Sequence, residues 1–169
     1  MSQSIQFQVE DGIAALLTGI SGLNVYTTNR TGKRLFPYVT ISASISEQML
    51  GNYTGVYDLA VAVNYSDTAA KATQEEFDAE YCNIFEQFYS ETLTLASKID
   101  AQIAAPAVIY AAQITGQSPT IRTAKRAWQR GLTMRVIASP VQSPEPEPIG
   151  YIAALQFNDH RNSQYLGAI

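Results

Sequence analysis

The chain has 169 residues and a mass of 18.5 kDa, enough for one domain and an appendage. Its net charge of −4 argues against a dedicated nucleic-acid binder, since such domains are usually basic. Charged residues make up only 15% of it, against a usual share of about 25%. The resulting neutral polar surface is cheap to dehydrate and suits protein contacts, which are poor in charge at their centres.

Residues 4–20 read as a helix, because Ile5, Val9, Ile13, Leu16, Leu17 and Ile20 recur at helical spacing. Ser4 or Ser2 can cap its start, and Gly19 and Gly22 bracket its end. A short strand follows at Leu23 to Thr27, then a basic loop from Asn29 to Lys33. From Pro37 onward Val39, Ile41, Ala43 and Ile45 alternate with Thr40, Ser42, Ser44 and Ser46. Period two with a small-polar face predicts a strand buried on one side and wet, or in contact with a partner, on the other. A second alternating strand carries Tyr57, Leu59, Val61, Val63 and Tyr65 on one face, so the two make a long-looped hairpin. Its loop, Glu47 to Gly55, holds Met49, Leu50 and Tyr53 at the tip. Such apolar tips either dock on a partner or fold back onto the sheet.

A long helix follows, starting at the capping box Thr73-Gln74-Glu75-Glu76 or as early as Thr68. Phe77, Tyr81, Ile84, Phe85 and Phe88 form its core stripe. Cys82, the single cysteine, falls within this pattern and is expected to be a packed thiol. The acids Glu75, Glu76, Asp78 and Glu80 suit the positive end of the helix dipole. They make either a solvated face or a surface for a basic partner. A shorter helical piece spans Thr92 to Ala104 and is stopped by Pro106. Val108 to Ile114 reads as a strand and Thr115 to Pro119 as a turn. The last long strand lies within Ile121 to Ser139, with Trp128, Leu132, Met134, Val136 and Ala138 on one face, Arg130 interrupting, and a bulge at Gly131.

Composition then changes. Pro140, Pro144, Pro146 and Pro148 alternate with Glu145 and Glu147 in a stiff linker. The remainder holds Tyr151, Ile152, Leu155, Phe157, Tyr165, Leu166 and Ile169. It is too apolar for an ordinary disordered tail and too short to fold alone. It is expected to pack on its own domain or to add a strand to a neighbour's sheet. The predicted organisation is an α+β assembly domain at 1–139, a Pro/Glu linker at 140–148 and an apolar arm at 149–169. The domain is a mixed, mainly antiparallel sheet with helices packed on one face, followed by an extended C-terminal arm.

No catalytic constellation is present in the sequence. The lone histidine, His160, lies in the arm beside Asp159, a poor place for a firmly held base. No metal, phosphate or dinucleotide motif occurs, so no cofactor is expected. No run approaches about 18 apolar residues, and Met1-Ser2-Gln3-Ser4 lacks a basic leader start. Neither a membrane span nor a signal peptide is therefore expected. The basic residues cluster: Arg122, Lys125, Arg126, Arg130 and Arg135 in one stretch, and Arg30, Lys33 and Arg34 in another. Segregation from the acidic helix suits head-to-tail contact between copies, or else a phosphate-binding strip.

The phrase Phe36-Pro37-Tyr38-Val39-Thr40-Ile41 after an N-terminal amphipathic helix, the acidic helix behind the hairpin, and the closing Arg135-Val136-Ile137-Ala138 make up an order. This order resembles the tail terminator and tail-completion (neck) proteins of tailed bacteriophages, over residues 4–139. The resemblance implies a non-enzymatic virion subunit assembled in the host cytoplasm. Such a subunit forms a ring of its own copies, typically a hexamer. The ring sits between the tail tube protein and the head connector or stopper, and DNA passes through its lumen without sequence-specific contact. Candidate contact residues are Met49, Leu50 and Tyr53 in the loop, Arg122, Lys125, Arg126 and Arg130 in the basic stretch, and Tyr151, Phe157 and Leu166 in the arm. A tail tube or head-completion subunit is the nearest alternative. A small DNA-binding module and a hydrolase with an unmarked site are alternatives of other classes.

Overall fold

A computed structural model describes residues 4–30, 32–48, 55–70 and 72–140. The first helix, α1 (Ile5–Leu17), starts where the Ser4 hydroxyl accepts the Phe7 N–H. Ile5, Val9, Ile13 and Leu17, spaced by four, are all buried. The helix stops at Leu17, short of the expected Ile20, with Thr18 as C-cap. Gly22 then turns the chain at φ +78°, a conformation that costs glycine nothing. The strands are β1 (Asn24–Thr27), β2 (Tyr38–Gln48), β3 (Tyr57–Thr68), β4 (Val108–Gln117), β5 (Ile121–Arg122) and β6 (Ala127–Ser139). Two more helices, α2 (Gln74–Glu86) and α3 (Leu95–Asp100), fall between β3 and β4.

The sheet order is β1-β2-β3-β6-β4, with β5 paired to β6. The β1–β2 pair is parallel and every other pair antiparallel, so the α+β, mainly antiparallel expectation holds. At the centre, β3 and β6 run in unbroken register from Tyr57↔Ala138 to Thr68↔Ala127. Leu59, Val61, Val63 and Tyr65 of β3 face the helices together with Leu132, Met134, Val136 and Ala138 of β6, and all are buried. Phe77 of α2 stacks on Tyr65 at 4.7 Å between centroids. Fully burying a ring of that kind stabilises by roughly 1.5–3 kcal/mol.

Several local expectations are corrected. The box Thr73/Glu76 does cap α2, but Thr68 belongs to β3, where it stands opposite Ala127; its N–H donates to Asp67 Oδ1 at 2.7 Å and its carbonyl accepts the Ala72 N–H at 3.3 Å. Cys82 is exposed. It sits one residue past Tyr81, about 100° around the helix from the buried stripe. The second helical piece shrinks to Leu95–Asp100: Thr94 is its N-cap, and it ends well before Pro106. The strand expected to end at Ile114 continues to Gln117, absorbing Thr115 in a register shift between Ile114 and Gly116. There is no bulge at Gly131, which pairs with Asn64 in register. Glycine makes room there for the Asn64 side chain, since a Cβ would lie 2.3 Å from Asn64 Oδ1 and push it aside. Among the described residues no helix is long and apolar enough to cross a membrane.

Candidate interaction surfaces

The helices cover one face of the sheet and leave the other open. Ser42, Ser44, Ala60, Ala62 and Thr133 line a shallow hollow of about 370 Å³ on the open face. Small residues from three strands make it: Ser42 pairs with Ala62, Ser44 with Ala60, and Ala62 with Thr133. The polar half of the alternation in β2 thus points away from the core, as its period demanded.

One strong polar feature stands in this hollow. Asp58, only 5% exposed, takes a two-pronged bond from Arg135, with Nε 2.9 Å and Nη2 2.6 Å from Oδ2. The guanidinium holds the Asp58 carboxyl below its ordinary value against the opposing effect of burial, and the Ser46 hydroxyl assists. Planar fork-to-carboxylate pairing of this kind is geometrically specific. The sequence reading missed the pair because its partners are far apart along the chain. Only the register, which sets Ala60 opposite Arg135, brings them together.

A second buried carboxylate was also missed. Glu10 lies on the inner side of α1 at 1% exposure. Its oxygens accept the Thr28 N–H at 2.9 Å, the Thr28 hydroxyl at 2.6 Å and the Ala43 N–H at 2.7 Å. Beyond Thr27 no described strand pairs with the outer side of β2, and Glu10 supplies an acceptor just where β1 ends.

The candidate contact residues fall into three groups. Arg130 is engaged within the chain: its Nη1 is 3.2 Å from Asp78 Oδ1, and its guanidinium lies 4.3 Å from the centre of the Tyr81 ring. Thr120 also donates to Asp78, and the Tyr81 hydroxyl donates to Gln117 at 3.0 Å. Burial raises the Tyr81 phenol above its ordinary value, with Arg130 opposing. This cluster clamps α2 to β6 and to the segment leading into β5. Arg122, Lys125 and Arg126 are exposed at the β5–β6 turn. Arg122 lies 5.8 Å over the Trp128 ring, and Trp128 donates its Nε1 hydrogen to the Ala72 carbonyl at 3.0 Å. Met49, Leu50 and Tyr53, with Tyr151, Phe157 and Leu166, lie outside the described residues.

Register assigns these groups to opposite ends of the sheet. The β5–β6 turn adjoins Thr68 and the start of α2, where the Arg126 carbonyl accepts the Ala69 N–H at 2.9 Å. Arg34 sits over Tyr38, which pairs with Ser66 at that same end. The other end holds Gln48, Tyr57, Val108 and Ser139. From it depart both the loop bearing Met49, Leu50 and Tyr53 and the C-terminal arm. One end therefore carries the exposed basic turn beside the acidic start of α2, and the other carries the Asp58–Arg135 pair. The acidic helix and the basic turn are neighbours within one copy, where the sequence reading had expected them apart. Among the described residues no cluster of His, Cys, Asp or Glu is suited to a metal.

No family model matches the sequence. No curated protein matches it. The fold, however, is similar to that of a chain in the virion of a native gene transfer agent particle, with a TM-score of 0.53 at 13% identity. The match covers 79% of this chain and 95% of that one, and at this identity it is a likeness of fold alone.

Proposed function

We propose that the chain is a structural virion subunit, a ring-forming tail terminator that caps a phage-type tail tube and joins it to the head connector. The observation that carries this reading is the fold likeness to almost the whole length of a virion chain. The chemistry of the domain agrees with it. A subunit placed between two partners needs two unlike ends, and in this sheet one end carries the exposed basic turn beside the acidic start of α2 while the other carries the paired Asp58 and Arg135. An open face of small side chains gives a neighbouring copy a surface it can approach closely. Heterologous contacts of that kind close into a ring when the rotation permits. The work is done by contact alone, with no catalytic group and no cofactor, and DNA passes through the lumen.

Electron microscopy of the purified chain tests the reading. Rings of one diameter and fixed copy number are expected. Tubes of unlimited length would instead make it a tube subunit. Single particles of monomer size that bind DNA in a salt-dependent way, with loss on substituting Arg122, Lys125 and Arg126, would favour the DNA-binding alternative.

A further inference from the structure

The two borders of the sheet are treated differently. On the β1 side, Arg30 Nη1 donates to the Val25 carbonyl at 3.3 Å and Glu10 takes the Ala43 N–H at 2.7 Å. Side chains thus occupy backbone groups along that border. On the β4 side, Asp100 takes the Ile109 N–H at 2.8 Å at the strand's start. Beyond it, no described strand pairs with the outer side of β4. Not one of residues 101–121 is charged. A long uncharged border strand is a template for another chain, and proteins that keep such a border bare usually place lysine or proline on it. Between its two register shifts, β4 keeps a regular stretch, Ala111–Ile114.

We infer that the outer border of β4 receives residues 149–158 of a second copy as an added strand. The inference rests on the ring reading above and names the contact that would hold the ring together. Three observations select this occupant. Ser139, the last residue of β6, pairs with Val108, the first of β4, so the arm leaves the sheet beside this border. Residues 149–158 carry no charge and set Tyr151, Ala153, Leu155 and Phe157 at period two, the pattern that strand addition needs. The length of chain before this segment permits a neighbour as the receiver. At about 3.1 Å per residue, the rise of an extended proline-rich chain, residues 140–148 can reach up to roughly 28 Å. The chain's own β4 border is about 5 Å beyond β4, one strand spacing away. That reach exceeds what the chain's own border needs and is long enough to bring a neighbour's border within range, as the ring reading requires.

Cross-linking of the full chain tests this. In a Cys82→Ser background, one protein carries Gln113→Cys and a second carries a single cysteine, moved in turn through positions 152 to 157. The two are mixed, oxidised and weighed, and the mass of the unoxidised mixture is measured alongside. Disulfides need Cβ atoms about 3.5–4.5 Å apart, so a paired strand gives cross-links between chains that alternate strong and weak with period two. Cross-links confined to one chain, found when both cysteines share it, would overturn the inference. So would links between chains without alternation. A ring-sized mass with no link to Gln113→Cys would overturn strand addition and leave the ring reading standing. A monomer with no link between chains would overturn both.

Discussion

Buried carboxylates are expensive unless every oxygen finds a donor, and the two in this domain meet that condition in different ways. Glu10 accepts from backbone and hydroxyl donors that would otherwise be orphaned at the end of β1. Glu10→Ala is therefore expected to cost about 1–2 kcal/mol in urea unfolding, because it removes the acceptor of two part-buried N–H groups. Glu10→Gln is expected to cost less, since one acceptor oxygen remains. A change under roughly 0.5 kcal/mol for the alanine variant would remove Glu10 from this role. Asp58 depends on Arg135. Its folded-state pKa is lowered, so its contribution is complete above the unfolded carboxylate value of about 4 and is lost as pH falls through the lower folded value. Asp58→Asn should flatten the acid limb of the stability profile and leave its shape unchanged above about pH 5. An unaltered acid limb would contradict the pairing. Neither residue was legible as a site in the sequence. Glu10 reads as one polar position beside an apolar stripe, and Asp58 as one polar position in an alternating strand. What distinguishes them is the partner, and partners are set by tertiary register.

At the scale of elements, alternation and caps carried most of the information. The period-two runs of β2 and β3 and the Thr73/Glu76 box reported their structures directly, because their signals are local. The errors share a physical cause. The first part of the turn expected at Thr115–Pro119, Thr115 to Gln117, became strand because β6 offered a partner through Leu132. Thr92 and Leu93 stayed outside α3 because the Thr94 hydroxyl caps the helix by accepting the Ser97 N–H at 3.2 Å. Arg130 looked like an interruption of the apolar face of β6, and its position beside Asp78 and Tyr81 explains why it is there. A double-mutant cycle on Arg130→Ala and Asp78→Asn should give a coupling of about 0.5–1 kcal/mol, modest because both side chains are partly exposed. The single Arg130→Ala change should cost more than Asp78→Asn, since it also removes the contact with the Tyr81 ring. Equal single effects would mean that the ring contact contributes nothing.

For the whole molecule, the order of elements was readable and their arrangement in space was not. The sequence pattern places acids in α2 and bases around β5, which suggests separate poles. Pairing of Thr68 with Ala127 brings them to one end. The same pairing sets Gln48 and Ser139 at the other end, an arrangement that no single stretch of sequence encodes. The most direct test is the solution mass of the full chain by light scattering across a range of concentrations, beside a chain ending at Pro140. A discrete ring-sized mass that does not grow with concentration, falling to monomer when the arm is removed, is the predicted result. A monomer in both forms, or a mass that rises without limit, would contradict the account.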